Sequence, residues 1–138
     1  LKLAQARLSV ATLDQLGAAA LYGVDPSYFD ATRNEYRRRR DTCYRKLLEI
    51  PGIVTTEPQG AFYTMAKLPV DSTERFQLYL LQEFEDNGET VMFAPGSGFY
   101  ATPGAGTSEI RIAYVRCVEE LERSLTLLRL AIERYNQK

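Results

Sequence analysis

The feature that most constrains the fold is a short apolar run, residues 109–115, with one arginine at its centre. A Gly/Pro/Ser-rich stretch precedes this run and a helical pattern follows it, which predicts a short buried strand. Because side chains alternate along a strand, Ile110, Ile112 and Tyr114 are expected on one face and Arg111 on the other. A guanidinium shielded from water needs an anionic partner, since a buried unpaired charge is very costly. The alternatives are an internal Asp or Glu that pairs with Arg111, or a solvated sheet face.

The remaining patterns predict an α+β fold, in which a small, mostly antiparallel sheet of three or four strands has long helices packed on one face. Two helical patterns lie within residues 1–22, with Thr12 as the expected cap of the second, and Ser27 is the expected cap of the helix that follows. Strands are predicted at residues 53–57, 61–68, 90–94 and 109–115, and helices at residues 28–50, 73–88 and 118–135. Asn87-Gly88 is expected to close the second of these helices, because Asn87 suits the left-handed conformation of a helix end.

Composition excludes several classes of function. The net charge of −1 gives no general attraction for nucleic acid, and no apolar run approaches the roughly 18 residues of a membrane span. The chain has no histidine, which removes Ser-His-Asp and Cys-His catalysis and most zinc sites, and we expect no metal. Cys43 and Cys117 occur without a secretory signal, so we expect reduced thiols and a cytoplasmic protein.

Two further motifs have simple structural interpretations. The run Arg-Arg-Arg-Arg at residues 37–40 is predicted to lie on a helix, where successive residues point about 100° apart, so the four side chains surround the helix and do not form one patch. Glu35 and Arg39 are spaced as an i,i+4 salt bridge. A salt-bridged helix surface is therefore favoured over a phosphate site. The Gly-rich stretch at residues 95–100 lacks the Gly-Lys-Ser/Thr of a phosphate-binding loop, so a turn is favoured. No set of residues in the chain makes a self-contained active site.

Three motifs occur in a fixed order: Pro-Gln-Gly-Ala-Phe-Tyr at residues 58–63, Val-Met-Phe-Ala-Pro-Gly-Ser-Gly-Phe at 91–99 and Glu-Ile-Arg-Ile-Ala-Tyr at 109–114. Together they resemble the C-terminal small domain of pyridoxal-phosphate-dependent class I/II aminotransferases (fold type I, the aspartate aminotransferase superfamily). The resemblance covers essentially the whole chain from about Gln5.

The resemblance implies roles for particular residues. It implies that Arg111 pairs with the substrate α-carboxylate and that Phe62 lies near the substrate when the small domain closes. It also implies that the segment from Gln5 to Thr12 reaches the active site of the other subunit in a homodimer. Arg7 and Ser9 are then candidates for contact with a substrate side chain or the cofactor phosphate.

The resemblance also implies what lies outside the chain. The family's Schiff-base lysine, the aspartate at the pyridine nitrogen and the phosphate-binding loop belong to a large domain, which would hold the pyridoxal 5′-phosphate. Residues 1–25 are then a helical segment that continues from this large domain, and residues 26–138 are the small domain. We expect no catalytic or cofactor-binding residue in this chain, and no activity from these residues alone. The full-length enzyme would transfer an amino group from an amino acid to a 2-oxo acid.

An alternative from another class is a stand-alone regulatory α+β domain that senses an amino acid through Arg111 without a cofactor. The sequence upstream of Leu1 distinguishes the two. The chain begins with Leu inside a helical pattern, from which we expect a fragment of a longer protein.

Overall fold

The computed structural model describes residues 10–137. Arg7 and Ser9 lie outside the described residues, so their predicted contacts stay predictions. The described helices are α1 (Thr12–Ala20), α2 (Pro26–Leu48), α3 (Thr73–Gln82) and α4 (Val118–Tyr135), with 3-10 turns at Leu21–Gly23 and Ser97–Phe99. The strands are β1 (Val54–Thr55), β2 (Tyr63–Lys67), β3 (Ala94–Pro95) and β4 (Glu109–Ala113).

The four strands form one antiparallel sheet in the order β1-β2-β4-β3. Strand β4 is therefore central, and the arginine-bearing run lies between two neighbours. On β2 the residue opposite Arg111 is Met65, and on β3 it is Ala94. The predicted α+β fold with a small antiparallel sheet is confirmed.

One face of the sheet builds the core. Ile110 and Tyr114 are buried, as is Ala66 on the neighbouring strand. The apolar stripe of α4 supplies the opposite wall, because its residues repeat at intervals of three and four and so share one helix face. The buried members of that stripe include Leu121, Leu125, Leu128 and Ile132.

Two helix starts and two helix ends differ from the predictions, one of the ends being that of α2, which lies at Leu48 instead of residue 50. Helix α1 begins at Thr12 itself after Ala11, and no side chain caps it. Before α2, the carboxylate of Asp25 accepts a 2.8 Å hydrogen bond from the backbone N–H of Ser27, so Asp25 caps the helix and Ser27 lies inside it. A hydrogen bond from the Ser27 side chain, together with this one from its backbone N–H, lowers the pKa of Asp25. Helix α3 ends at Gln82, well before the Asn87 predicted to close it.

The predicted strand at residues 90–94 is also wrong in extent. Only Ala94 pairs with β4 on this stretch, together with Pro95, which was expected to begin the loop. Residues 90–93 have no strand pairing, although their sequence is apolar and β-branched. A short apolar run does not by itself specify which neighbour it pairs with.

The described residues divide into two compact units, one ending at Asn34 and the other beginning at Glu35. In the first unit, α1 buries none of its residues, and Leu13 is 81% exposed. The second unit contains the sheet and the core. Among the described helices, none combines the length and apolar character needed to cross a bilayer.

Candidate functional site

Arg111 projects from the sheet face opposite the core. Burial alternates along β4, with Ile110 buried, Arg111 exposed and Ile112 half-buried, as predicted for this strand. Among residues 10–137, Arg111 forms no salt bridge and donates no hydrogen bond. Of the two alternatives given above, an internal Asp or Glu that pairs with Arg111 is not found in the described part of the chain. The other alternative, an exposed sheet face, is what the structure shows.

Two aromatic rings lie beside the guanidinium. The Arg111 Cζ atom lies over the Phe99 ring, 4.6 Å from its centroid, and over the Tyr63 ring at 5.4 Å. A cation this close to a ring face is attracted by the ring quadrupole. These contacts use the π faces of the rings and leave the N–H groups of the arginine available. Tyr63 and Phe99 thus hold Arg111 without consuming its hydrogen-bond donors.

Phe99 comes from a loop that is fixed against the start of β4. The backbone N–H of Gly96 donates a 2.7 Å hydrogen bond to the carbonyl oxygen of Glu109. The hydroxyl of Tyr100 donates a 2.5 Å hydrogen bond to the Glu109 carboxylate, which raises the pKa of Tyr100. The N–H groups of Phe99 and Tyr100 bond within the loop, to the carbonyls of Gly96 and Ser97. The loop is a turn with its own hydrogen bonds, as its sequence predicts.

The same loop is also attached to helix α3. Ser97 hydrogen-bonds through its hydroxyl to the carboxylate of Glu74, in the first turn of the helix. The hydrogen bond from Ser97 is the largest cause of the lowered pKa of Glu74, and one from Ser72 adds to it. The loop therefore has anchors on both β4 and α3.

Tyr63 comes from the first residue of β2, after a turn that Tyr114 supports. The buried Tyr114 donates its hydroxyl to the carbonyls of Gly60 and Ala61 at 3.2 Å, and its backbone N–H to the Phe62 carbonyl at 2.9 Å. Burial raises the pKa of Tyr114. Tyr114, directly after β4, thus supports the turn that carries Phe62 and Tyr63.

Phe62 lies next to this site as part of an aromatic row. It is 52% exposed, and its ring centroid is 5.6 Å from that of Tyr63 and 6.5 Å from that of Tyr36 on α2. Its predicted closeness to a substrate stays a prediction. Tyr63 and Phe99 are not among the residues predicted from the sequence. The period-two alternation of β2 could have placed Tyr63 on the Arg111 face, but the position of Phe99 depends on the path of the loop.

A cavity of about 470 Å³ opens on the β3 side of Arg111. Residues 90–94 line it, together with Ala113 on β4 and Leu125 on α4. It exists because residues 90–93 do not pair with the end of β4. The space next to the arginine is therefore open on this side, and its lining is about equally polar and apolar, with Arg116 as a second guanidinium besides that of Arg111.

The fold and the site define an α+β domain whose small antiparallel sheet carries an exposed arginine beside two aromatic rings. The sequence model of the family described as aminotransferase class I and II matches residues 1–126. This chain belongs to the class I and II aminotransferases. The family is pyridoxal-phosphate-dependent in general.

The relatives agree with this assignment. Aspartate aminotransferase of Bacillus subtilis (strain 168) is 30% identical over 132 residues, which cover 91% of this chain and 31% of the relative. Alanine aminotransferase from Pyrococcus furiosus has a TM-score of 0.75 and 31% identity, over 96% of this chain and 33% of that one. α-Aminoadipate aminotransferase from Thermus thermophilus, solved with N-(5′-phosphopyridoxyl)-L-leucine, shares the fold with a TM-score of 0.77 at 24% identity, over 95% of this chain and 33% of that one. The chain thus spans about a third of the length of these relatives.

Neither of the two lysines among residues 10–137 has the surroundings of a lysine that binds pyridoxal 5′-phosphate. A lysine that reacts with an aldehyde must lose its proton, which a desolvated or cationic surrounding promotes. Lys46 instead holds Glu49 in an ion pair with a 2.5 Å separation, and Lys67 is exposed at the end of β2. Residues 10–137 also contain no group of three or more acidic, cysteine or histidine side chains placed to bind a metal.

Proposed function

We propose that this chain is the substrate-carboxylate-binding small domain of an aspartate aminotransferase-like enzyme, in which Arg111 binds the α-carboxylate. The whole enzyme transfers an amino group from an amino acid to a 2-oxo acid. The observation that carries the proposal is that Arg111 is exposed, with its Cζ over two aromatic rings and no acidic partner among residues 10–137. The position of Arg111 in a family motif supports the same role.

The chemistry of the pair follows from its geometry. A guanidinium offers parallel N–H groups in one plane, and a carboxylate offers two oxygens at a matching spacing, so the contact is bidentate and directional. A bidentate contact fixes the orientation of the amino acid as well as its position, which converts binding energy into a correct approach of the reacting atoms. The rings of Tyr63 and Phe99 keep part of the guanidinium surface away from water, which strengthens the ion pair.

The cofactor, when bound by the full-length enzyme, supplies the electron sink for the reaction. The residues that hold pyridoxal 5′-phosphate then belong to a large domain of the same chain, and the surroundings of Lys46 and Lys67 support this part of the proposal. The full-length enzyme is a homodimer in this proposal, and residues 1–138 alone are inactive. Support comes from the length of the relatives, of which this chain covers about a third. The relatives reported above are all named aminotransferases, and no observation favours the alternative sensing domain.

The test is Arg111→Lys in the full-length protein, with Arg75→Lys as control. Lysine keeps the positive charge but lacks the planar guanidinium whose paired N–H groups match a carboxylate. The value of kcat/KM for L-aspartate should therefore fall about 10- to 100-fold, the loss expected for a hydrogen bond between charged groups. Cofactor absorbance should stay unchanged. Arg75 pairs with Asp71 on the exposed surface of α3, and its variant should behave as wild type. Equal losses of substrate binding and cofactor absorbance in Arg111→Lys would count against the proposed role.

A further inference from the structure

We propose that Phe99 is a positioning residue that acts through Arg111, by holding the guanidinium in the orientation in which its N–H groups meet the carboxylate. The inference rests on the proposed function and adds a residue to the same site. Phe99 carries no polar group and has no role of its own toward a carboxylate. Its ring is the nearer of the two beside Arg111, at 4.6 Å compared with 5.4 Å for Tyr63.

The position of Phe99 is set independently of Arg111. The loop that carries it is bonded to Glu109 through Gly96 and Tyr100, and to Glu74 through Ser97. A β-carbon at Gly96 would lie 2.7 Å from the Glu109 carbonyl oxygen, so the loop backbone lies directly against the strand. The loop that carries the Phe99 ring is therefore anchored to β4, the strand that carries Arg111. The ring provides a rigid surface against which the flexible arginine side chain can lie.

An arginine side chain has several rotatable bonds, and ordering them on binding a ligand reduces affinity. A ring that already holds the guanidinium reduces that loss. The contact with the ring uses no N–H group, whereas an acidic partner would occupy the same donors as the substrate. Phe99 should thus order Arg111 while keeping it free to bind. The expected effect is on carboxylate affinity, and not on the folding of the domain or on the cofactor.

The test uses the full-length protein with Phe99→Leu, which keeps an apolar side chain and removes the ring. The KM for L-aspartate and the inhibition constant of succinate should both rise about 3- to 30-fold, the range that one cation–π contact corresponds to. The value of kcat should change little, because the contact is present both before and during the reaction. Phe99→Tyr restores the ring and should restore both constants. Phe29→Leu is the control, because Phe29 is similarly exposed and its ring contacts Tyr28 instead of a cation.

A double-mutant cycle separates this inference from the proposed function. In an Arg111→Ala background, Phe99→Leu should have no further effect on either constant, because the ring acts through the guanidinium. If Arg111→Ala alone leaves both constants unchanged, the proposed function fails and the positioning role fails with it. If Arg111→Ala weakens binding but Phe99→Leu does not, only the positioning role is overturned. The positioning role alone is also overturned if the loss from Phe99→Leu persists in the Arg111→Ala background, or if Phe99→Tyr does not restore binding.

Discussion

Gly96 and Glu109 are in direct backbone contact: the N–H of Gly96 donates a 2.7 Å hydrogen bond to the Glu109 carbonyl oxygen. Glu109 begins β4, two residues before Arg111, and Gly96 precedes the turn that carries Phe99. This contact joins the loop to the strand at the place where both supply groups to the candidate site. The closeness of the two backbones is possible only because residue 96 has no β-carbon.

A methyl group at this position should be costly. In Gly96→Ala, the new β-carbon would lie 2.7 Å from both the side chain and the carbonyl oxygen of Glu109, so the loop must move. We expect the free energy of unfolding to fall by about 1–3 kcal/mol, as for other overpacked sites. Urea unfolding measures it. Gly98→Ala is the matched control in the same loop, because its β-carbon would have no neighbour within 4 Å, and it should change stability by less than about 0.5 kcal/mol. Equal stabilities for the two variants would show that the loop does not lie against the strand.

The buried thiol of Cys43 predicts a loss of stability in alkali. Desolvation raises the pKa of Cys43 to about 12 from 9.0. Between these two values the unfolded chain releases the thiol proton and the folded chain keeps it, so the unfolded state is stabilised relative to the folded state as the pH rises. Stability should therefore be unaffected below about pH 9 and fall above it, by up to about 1.4 kcal/mol per pH unit.

Urea unfolding of wild type and Cys43→Ala between pH 8 and pH 11 isolates this contribution, because other titrating groups are common to both proteins. The wild type should lose stability more steeply than the variant above about pH 9. Cys117→Ala is the control, since Cys117 is exposed, and its slope should match wild type. Parallel curves for wild type and Cys43→Ala would mean that this thiol is not shielded in the folded chain.

The isolated chain of 138 residues should have no transaminase activity. Among its described residues, Lys46 is paired with Glu49 and Lys67 is exposed, so neither is placed to bind pyridoxal phosphate. Adding the chain to pyridoxal phosphate should leave the absorbance spectrum of the free cofactor unchanged. A saturable spectral change, or a measured rate of amino transfer by this chain alone, would contradict the assignment of the cofactor site to a separate domain.

The long periodic elements of this fold could be predicted from the sequence. Helix α4 has the predicted bounds, because five turns of apolar residues at intervals of three and four leave little ambiguity. The alternation in β4 likewise places Arg111 on the face opposite Ile110. Both predictions depend only on local geometry, which a sequence shows directly.

Short elements and end points could not be predicted, because they depend on contacts between distant segments. Residues 90–93 have a strand-like composition but no partner on β4. Asn87 has the predicted left-handed conformation, with φ of 56°, yet it belongs to a turn between Asp86 and Glu89 and not to the end of α3. The ring of Phe99 meets Arg111 only because a loop of several residues returns to β4, and no period in the sequence indicates that return.

The central claim is that Arg111 binds the substrate carboxylate, and the most direct measurement is a structure of the full-length protein with a bound amino acid or dicarboxylate. The distances from the guanidinium nitrogens of Arg111 to the two carboxylate oxygens decide the question. We expect two parallel contacts of about 2.7–2.9 Å, with the ring of Phe99 still beside the guanidinium. A bound carboxylate whose oxygens both lie beyond hydrogen-bond distance of Arg111, or an Arg111 paired with an acidic side chain of the protein instead, would contradict the claim.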